Sequence, residues 1–316
     1  MAKHKHYSKE FKLQVARLVA EQGYSLRDTA ERLGIEAGLI RYWIKKEHEN
    51  RVCKAVLDVI AKRKNIVVEG IDYPDEKNRS EQAVDMLVRY SSSEMVVEHT
   101  RIESYPRQIE GWSQVRKLLK PIEEMIAHKL PLPGHYELAV DEGAIRGAKD
   151  IERIQRVLIE WIKMKAPLLQ VGSPNVASKH FIKEKPDNIP FEVKLYRLRR
   201  NDGKLRIVVN APDDLKEKIR QRISVALKEK CPKLWNARGD SRTSVLVFEL
   251  DDIFLGNHIS VREALTKELS VRNDAPDEVY LVETELKPWV VWVLKDEDTL
   301  FQDVVKAGPY YSDTIF

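Results

Sequence analysis

The sequence predicts an α+β multidomain chain in which an N-terminal three-helix helix-turn-helix is followed by a mixed α/β sheet domain. Apolar residues recur at helical spacing in three segments of the first 50 residues, and a pair of strands with acidic side chains follows at about 83–103. Helical and strand-like segments then alternate towards the C terminus, as in a mixed sheet with packed helices. A length of 316 residues allows two or three domains.

The composition excludes several classes of protein. Apolar residues make up 43% of the chain, which allows a core, while charged residues make up 33%. The strongest apolar run, 289–294, has only the length of a strand, and the N terminus does not resemble a signal peptide. Two cysteines, Cys53 and Cys231, cannot build a disulfide framework or a zinc cluster. We therefore expect a soluble, cytoplasmic protein.

The first 50 residues have the pattern of three short helices. Ser8 is a predicted N-cap of the first helix, and Ser25 is a predicted N-cap of the second. Gly34 provides the tight turn into a third helix at about 36–47, an arrangement typical of a helix-turn-helix. This segment contains ten lysines and arginines against seven acids, whereas the rest of the chain is nearly balanced at 44 against 43. Alone, an excess of three charges is typical of a solvated surface, and it indicates a nucleic-acid partner only in combination with the helix-turn-helix.

The segments YSKEFK (7–12), LGI (33–35) and IRYWIKK (40–46) resemble the helix-turn-helix of the small subunit of insertion-sequence transposases. The resemblance covers roughly residues 6–47 and implies binding of double-stranded DNA. Arginine can contact guanine in the major groove, and lysine contacts phosphates without reading sequence. The predicted DNA-binding residues are Arg27, Arg41, Tyr42, Lys45 and Lys46.

A second α/β domain is predicted at 51–165, and its acidic strand pair is the informative feature. The helix that opens this domain could continue directly from the third DNA-binding helix. The strand at 83–90 contains Asp85, and the strand at 94–103 contains Glu98. Because a short turn joins these strands, we expect the two carboxylates to lie opposite each other. Two convergent carboxylates can hold magnesium, which activates water for attack on a phosphodiester.

After this hairpin the sequence predicts a helix at 114–129 and a third strand at 135–140. The order of helix, strand, strand, helix and strand resembles the core of the PD-(D/E)xK nuclease superfamily, a restriction-nuclease-like fold. The resemblance implies that Asp85 takes the aspartate position, Glu98 the acidic position and Thr100 the lysine position. Glu81 would correspond to an additional acid. His99 is expected to be a hydrogen-bonded core histidine rather than a metal ligand. Because Thr100 has no charge, either a basic group comes from another residue, for which the candidates are Arg101, Arg116 and Lys117, or the domain is a degenerate nuclease without activity.

The remaining chain is predicted to continue the same architecture. The proline-rich stretch 166–190 is typical of a linker or surface loop, and 191–316 is expected to be an α/β region that extends the same sheet. Asn201-Asp202-Gly203 predicts a hairpin turn between strands at 191–198 and 205–209. No phosphate-binding glycine loop, dinucleotide fingerprint or nucleophile elbow is present.

Two other functions remain open from the sequence. The chain could be a non-catalytic DNA-binding regulator whose large domain binds a partner or forms a homodimer, with the acids serving as surface charge. It could also be a full transposase, which needs three dispersed acids on one sheet. Asp141, Asp251 and Glu263 have a workable order for that reaction.

Overall fold

The chain divides into two compact units in a computed structural model. The first unit comprises Met1–Ile102 and Arg220–Phe316, and the second comprises Glu103–Ile219. The structure describes residues 7–77, 83–102, 108–127, 129–130, 132–141, 143–145, 148–171, 181–199, 202–210, 213–251, 258–284, 288–297, 299–300 and 310–312.

The described residues form nine α-helices, at Lys9–Ala20 (α1), Leu26–Leu33 (α2), Ala37–Lys64 (α3), Pro74–Lys77 (α4), Gln108–Leu118 (α5), Lys120–Ile126 (α6), Ile151–Lys165 (α7), Leu215–Arg238 (α8) and His258–Leu269 (α9). They also form twelve strands, at Val68–Asp72 (β1), Met86–Tyr90 (β2), Ser93–Arg101 (β3), His135–Asp141 (β4), Phe181–Glu184 (β5), Val193–Leu198 (β6), Leu205–Asn210 (β7), Arg242–Leu250 (β8), Glu278–Glu283 (β9), Trp289–Asp296 (β10), Thr299–Leu300 (β11) and Tyr310–Ser312 (β12).

Helices α1 to α3 form the predicted helix-turn-helix. The hydroxyl of Ser8 accepts a hydrogen bond from the Phe11 N–H at 3.1 Å, and the hydroxyl of Ser25 caps α2 in the same way. Gly34 ends α2 at φ +61°, a left-handed conformation that favours glycine. The ring of Trp43 packs edge-on against Tyr7 and Phe11, with centroids 5.2 and 6.3 Å apart. These contacts hold the three helices around one small core.

Helix α3 is continuous over 28 residues and belongs to two hydrophobic cores. Its first part contributes Ile40 and Trp43 to the helix-turn-helix core. Its second part buries an apolar stripe, including Val56 and Ile60, against the sheet of the first unit. The predicted domain boundary at residue 50 therefore falls inside a helix, and the helix-turn-helix and the sheet lie in one compact unit.

The sheet of the first unit has the strand order β1-β2-β3-β8-β9-β10-β11, and β12 pairs with β10. Strands β1, β2 and β3 form an antiparallel meander. Strand β8 then runs parallel to β3, and β9 runs parallel to β8. Strands from both halves of the chain therefore share one sheet. The central strands β3, β8 and β9 are mostly buried, as expected for parallel pairs covered on both faces.

The helix and strand that follow the acidic hairpin in this sheet differ from those predicted. The predicted helix at 114–129 consists of two helices, α5 and α6, and with β4 it belongs to the second unit. In the first unit the elements after β3 are α8 and β8. Sequence order was misleading because residues 103–219 form a separate compact unit between β3 and the main part of α8.

The second unit has a four-stranded sheet in the order β5-β6-β4-β7. Strand β4 pairs antiparallel with β6 and parallel with β7. Helices α5, α6 and α7 pack on one face of this sheet around Leu138, Val140 and Leu195. The second unit thus has its own hydrophobic core, which satisfies the main requirement for a compact folding unit.

Two predictions for this region were wrong. Strands β6 and β7 do not form the predicted hairpin, because β4 lies between them. Of the predicted turn Asn201-Asp202-Gly203, Asn201 lies outside the described residues. Asp202 instead accepts a hydrogen bond from the Lys204 N–H and contacts the imidazole of His135, at the start of β4. The stretch predicted as a linker, 166–190, contains a 3-10 helix at Ala166–Leu168 and strand β5.

Every helix in the described ranges is too short or too polar to cross a membrane.

Candidate functional site

The structure brings Asp85 and Glu98 together at the β2–β3 hairpin. Strand β3 pairs with β2 so that Met86 lies opposite Val97, which places Asp85 beside Glu98. The Asp85 N–H donates to Glu98 Oε1 at 3.2 Å, and the His99 N–H donates to Asp85 Oδ2 at 2.8 Å. The side chain of Glu98 is completely buried. Glu81, the predicted additional acid, lies outside the described residues.

Two lysines of α8 bind Glu98. Lys230 Nζ lies 2.7 Å from Glu98 Oε2, and Lys233 Nζ lies 2.5 Å from Glu98 Oε1. The lysines are three residues apart and so lie on the same side of the helix. Thr100 lies two residues beyond Glu98 on β3 and is partly buried. The chain thus places two ammonium groups at the carboxylate pair.

The basic groups predicted from the sequence lie elsewhere. Arg101 forms an ion pair with Asp251, and Arg116 and Lys117 belong to the second unit. Lys230 and Lys233 were missed because they lie more than 130 residues after Glu98. Their sequence signal is weak but present: the two lysines flank the buried stripe of α8, which consists of Leu227, Cys231 and Leu234. A lysine beside a buried stripe can pack its apolar stem on that stripe, which places its charge at the edge of the packed interface.

The charges of this cluster shift the pKa values of the two acids in opposite directions. Burial and the negative charge of Asp85 raise the pKa of Glu98, although Lys230 and Lys233 oppose the shift. Burial also acts to raise the pKa of Asp85, but the His99 N–H and the lysines outweigh it, so that this pKa is lowered. A pair of neighbouring carboxylates with separated pKa values is typical of functional sites.

Lys46 connects helix α3 to the same cluster. Its ammonium group lies 2.5 Å from Asp75, 2.9 Å from Glu49 and 3.5 Å from Asp85. Burial opposes its charge, but the hydrogen bonds that it donates to Asp75 and Glu49 and the charge of Asp85 raise its pKa. The sequence predicted that Lys46 would contact DNA phosphates. In the structure its ammonium group pairs with Asp75 of α4, Glu49 of α3 and Asp85 beside β2.

The other predicted DNA-binding residues lie at the surface of the helix-turn-helix. Arg27 on α2 and Arg41, Tyr42 and Lys45 on α3 are all exposed. The side chain of Lys45 is 74% exposed and forms a long ion pair with Glu49, at 3.5 Å. Arg41 and Tyr42 precede the position at which α3 begins to pack on the sheet. This face therefore presents positive charge and one aromatic side chain to solvent.

Replacing Arg41 with alanine is expected to weaken binding to a preferred duplex by about 1–3 kcal/mol, because a bidentate contact to guanine is lost. Replacing Lys45 with alanine should weaken binding to all duplexes alike and reduce the slope of log affinity against log salt concentration by about one. Anisotropy titrations with duplexes selected from a random library, at several salt concentrations, measure both effects. Equal affinity of the wild type and the Arg41→Ala variant for every selected duplex would contradict the role of Arg41.

A second buried cluster surrounds Glu249 on β8. Its Oε1 lies 2.6 Å from His48 Nε2 and accepts a hydrogen bond from the Thr284 hydroxyl at 2.9 Å. Its Oε2 lies 3.0 Å from His99 Nε2. His99 is therefore the hydrogen-bonded core histidine that the sequence predicted. Burial opposes the charge of Glu249, but the two histidines lower its pKa well below the ordinary value.

Replacing Glu249 with glutamine is expected to destabilise the fold at neutral pH by about 3 kcal/mol, because a buried charged partner is removed. The pKa of Glu249 is lower in the folded chain than its ordinary value of 4.5. The ionised carboxylate therefore stabilises the fold fully above pH 4.5, and this stabilisation is lost as the pH falls below that value. Urea unfolding at a series of pH values should show that the difference in the free energy of unfolding between the variant and the wild type becomes smaller below pH 4.5. The exposed Glu229 supplies the control, since Glu229→Gln should leave the unfolding curves unchanged.

The acids required for the transposase alternative have other partners. Asp141 lies in the second unit, where its Oδ1 accepts hydrogen bonds from Lys194 and Asn210. Asp251 lies in the first unit and forms an ion pair with Arg101. Over the part of the chain that the structure describes, no group of three or more histidines, cysteines and acids is arranged to hold a metal ion.

Comparison with known proteins finds a family similarity in the N-terminal segment. A helix-turn-helix family model described as "Transposase" matches residues 1–56. No curated protein and no solved structure matches the chain. Residues 1–56 are thus similar to a transposase helix-turn-helix, a type of domain that binds DNA.

Proposed function

We propose that the chain binds double-stranded DNA through α1 to α3 and hydrolyses a phosphodiester bond at a site formed by Asp85, Glu98 and Lys230. The contact between Lys230 Nζ and Glu98 Oε2, at 2.7 Å, is the observation that carries this proposal. Lys230 supplies from α8 the basic group that Thr100 cannot supply from β3. The match of residues 1–56 to a transposase family supports the DNA-binding part.

The connectivity of the first unit also supports a nuclease core. Helix α3 precedes the antiparallel strands β1 to β3, and α8 precedes β8, which is parallel to β3. With the second unit set aside, this is the order of helix, strands, helix and strand that the sequence resemblance implies. Asp85 precedes the middle strand of the meander, and Glu98 lies on the last one.

Asp85 and Glu98 suit a divalent cation such as magnesium. Magnesium is commonly bound by one or two carboxylates, with water and substrate phosphates as further ligands. The negative charge of Asp85 contributes to the raised pKa of Glu98, and a cation between the two carboxylates would relieve that repulsion. When bound, the ion would lower the pKa of a water ligand and balance charge on the phosphoryl group.

The lysines suit the phosphodiester itself. Burial opposes the charge of Lys230, but the carboxylate of Glu98 raises its pKa, so the ammonium form is favoured. In hydrolysis, a water oxygen forms a bond to phosphorus, a P–O bond of the backbone breaks, and the departing oxygen takes a proton. Negative charge accumulates on the phosphoryl oxygens meanwhile, and a preorganised ammonium group stabilises it.

Cleavage of supercoiled plasmid with magnesium or manganese tests the proposal. The wild type should nick or linearise the plasmid, and the Asp85→Asn and Glu98→Gln variants should be at least about 10²-fold slower with duplex binding retained. Glu94→Gln is the matched control on the same hairpin, because Glu94 is more exposed and pairs with Arg242. Thermal unfolding of each variant separates loss of cleavage from loss of the fold.

A non-catalytic regulator is the second candidate, and the same contacts favour it. Both oxygens of Glu98 already bind lysines, and Asp85 Oδ2 already accepts a backbone hydrogen bond. A satisfied network of this kind can fix the hairpin against α8 without any catalytic role. If the wild type binds duplex DNA but cleaves it with neither magnesium nor manganese, the nuclease proposal is rejected and the regulator remains.

A further inference from the structure

Among the described residues, the helices of the second unit pack on one face of its sheet, and none of them packs on the other face. Because α5, α6 and α7 pack on the side of Leu138 and Leu195, the alternate residues point the other way. On β5 and β6 these residues are Phe181, Lys183, Lys194 and Tyr196, and we refer to these four residues as the aromatic–lysine face. The side chain of Lys183 is 43% exposed, and the two aromatic residues are partly exposed.

The strand register arranges this face in two rows. Phe181 lies directly opposite Tyr196, and their ring centroids are 5.3 Å apart. One row further along the strands, Lys183 lies directly opposite Lys194. Like charges in opposite positions are unfavourable in a sheet. The row of lysines therefore favours binding of an anion. At about 3.4 Å per residue, the lysine row lies about 7 Å from the row of aromatic rings.

Each lysine of the pair already has an acidic neighbour. Lys183 pairs with Glu192 at 3.0 Å, and Lys194 pairs with Asp141 at 3.1 Å. Both acids are more than half exposed, so these pairs are accessible to solvent and contribute little stability. A polyanion can therefore displace the acids at small cost.

The charge distribution along the chain also favours a polyanion. Residues 103–219, which form the second unit, contain 22 lysines and arginines against 17 acids. Residues 220–316 contain 13 against 17. The second unit is thus the most basic part of the chain in net charge, exceeding even the helix-turn-helix segment, with its ten against seven. A surface that combines positive charge with exposed aromatic rings is typical of proteins that bind single-stranded nucleic acids.

We propose that the aromatic–lysine face binds single-stranded DNA. Phe181 and Tyr196 present flat apolar surfaces on which unpaired bases stack, and Lys183 and Lys194 contact the phosphates of the same strand. Bases inside a duplex are already stacked on each other and cannot use this face. DNA rather than RNA is the expected strand, because the helix-turn-helix of the same chain is of a type that binds DNA. This site is separate from the duplex-binding residues Arg41 and Lys45.

Anisotropy of a labelled oligothymidine of about 20 nucleotides, titrated with the full-length chain, tests the proposal. The wild type should bind, and the Phe181→Leu/Tyr196→Leu variant should bind about tenfold or more weakly, because leucine keeps apolar volume without an aromatic face. Its duplex binding should equal that of the wild type. The matched control is Trp235→Leu, which removes a 45% exposed aromatic residue of the first unit and should leave oligothymidine binding unchanged.

Three results would overturn the proposal: undiminished oligothymidine binding by the leucine variant, loss of that binding in Arg41→Ala, or preference for oligouridine over oligothymidine. Thermal unfolding shows whether the leucine variant folds. If it does not, Lys183→Gln/Lys194→Gln retains both rings and decides the question. That variant should reduce the slope of log affinity against log salt by about 1.4, since each phosphate contact on a single strand contributes about 0.7. An unchanged slope would reject the site.

Discussion

Replacing Lys230 with methionine is expected to slow DNA cleavage by about 10²–10³-fold while duplex binding remains at the wild-type level. Methionine retains much of the apolar stem, so the packing of α8 is largely kept. The positive charge of Lys230 opposes the rise in the pKa of Glu98, and its removal should raise that pKa further. Because the proposed nuclease site would need Glu98 ionised, the acidic limb of the pH–rate profile should move to higher pH. Cleavage rates on supercoiled plasmid across a pH series measure both effects.

The neighbouring lysines of α8 provide the comparison. Lys228 is exposed, so the Lys228→Met variant should cleave supercoiled plasmid at the wild-type rate. Lys233→Met should shift the pH–rate profile in the same direction as Lys230→Met, because both ammonium groups bind Glu98. A wild-type rate and profile in Lys230→Met, with a loss in Lys233→Met, would assign the basic group to Lys233 instead.

Replacing Asn50 with proline is expected to destabilise the chain by about 3 kcal/mol or more and to abolish duplex binding. Asn50 lies in the interior of α3, between the residues that pack in the helix-turn-helix core and those that pack on the sheet. Proline removes the backbone donor at that position and clashes with the carbonyl of residue 46, which kinks or breaks the helix. Chemical denaturation and duplex anisotropy measure the two losses.

Asn50→Ala is the control for that experiment, because alanine favours the helix and keeps the backbone donor. It should unfold at the same or a higher denaturant concentration than the wild type and bind duplex normally. Duplex binding by Asn50→Pro at wild-type affinity would show that the continuity of α3 is not required to present the DNA-binding residues.

The helix-turn-helix could be predicted because its signals are local. The caps at Ser8 and Ser25 and the turn at Gly34 each act within four residues of a helix end, and hydrogen bonds or a positive φ confirm each of them. The acidic hairpin was predictable for the same reason, since a short turn fixes the pairing of two consecutive strands. Its strands were placed to within a few residues.

The remainder of the candidate site depends on contacts between distant parts of the sequence. Lys230 reaches Glu98 across 132 residues, and its position beside the apolar stripe of α8 does not indicate which acid it binds. The parallel pairing of β3 with β8 is equally remote. Residues 103–219 also contain helices and strands of their own, so the helix and strand nearest to the hairpin in sequence were assigned to the wrong sheet.

Parallel pairing of β3 with β8 also determines when the first unit can be completed during synthesis. Strand β3 leaves the ribosome long before β8, because the whole of residues 103–219 is made between them. Until then, the buried edge formed by Val96 and Val97 has no partner and can pair with other chains. The second unit, with its own core, can fold during this interval. Premature termination after residue 219 should therefore yield a folded second unit attached to an aggregation-prone N-terminal segment.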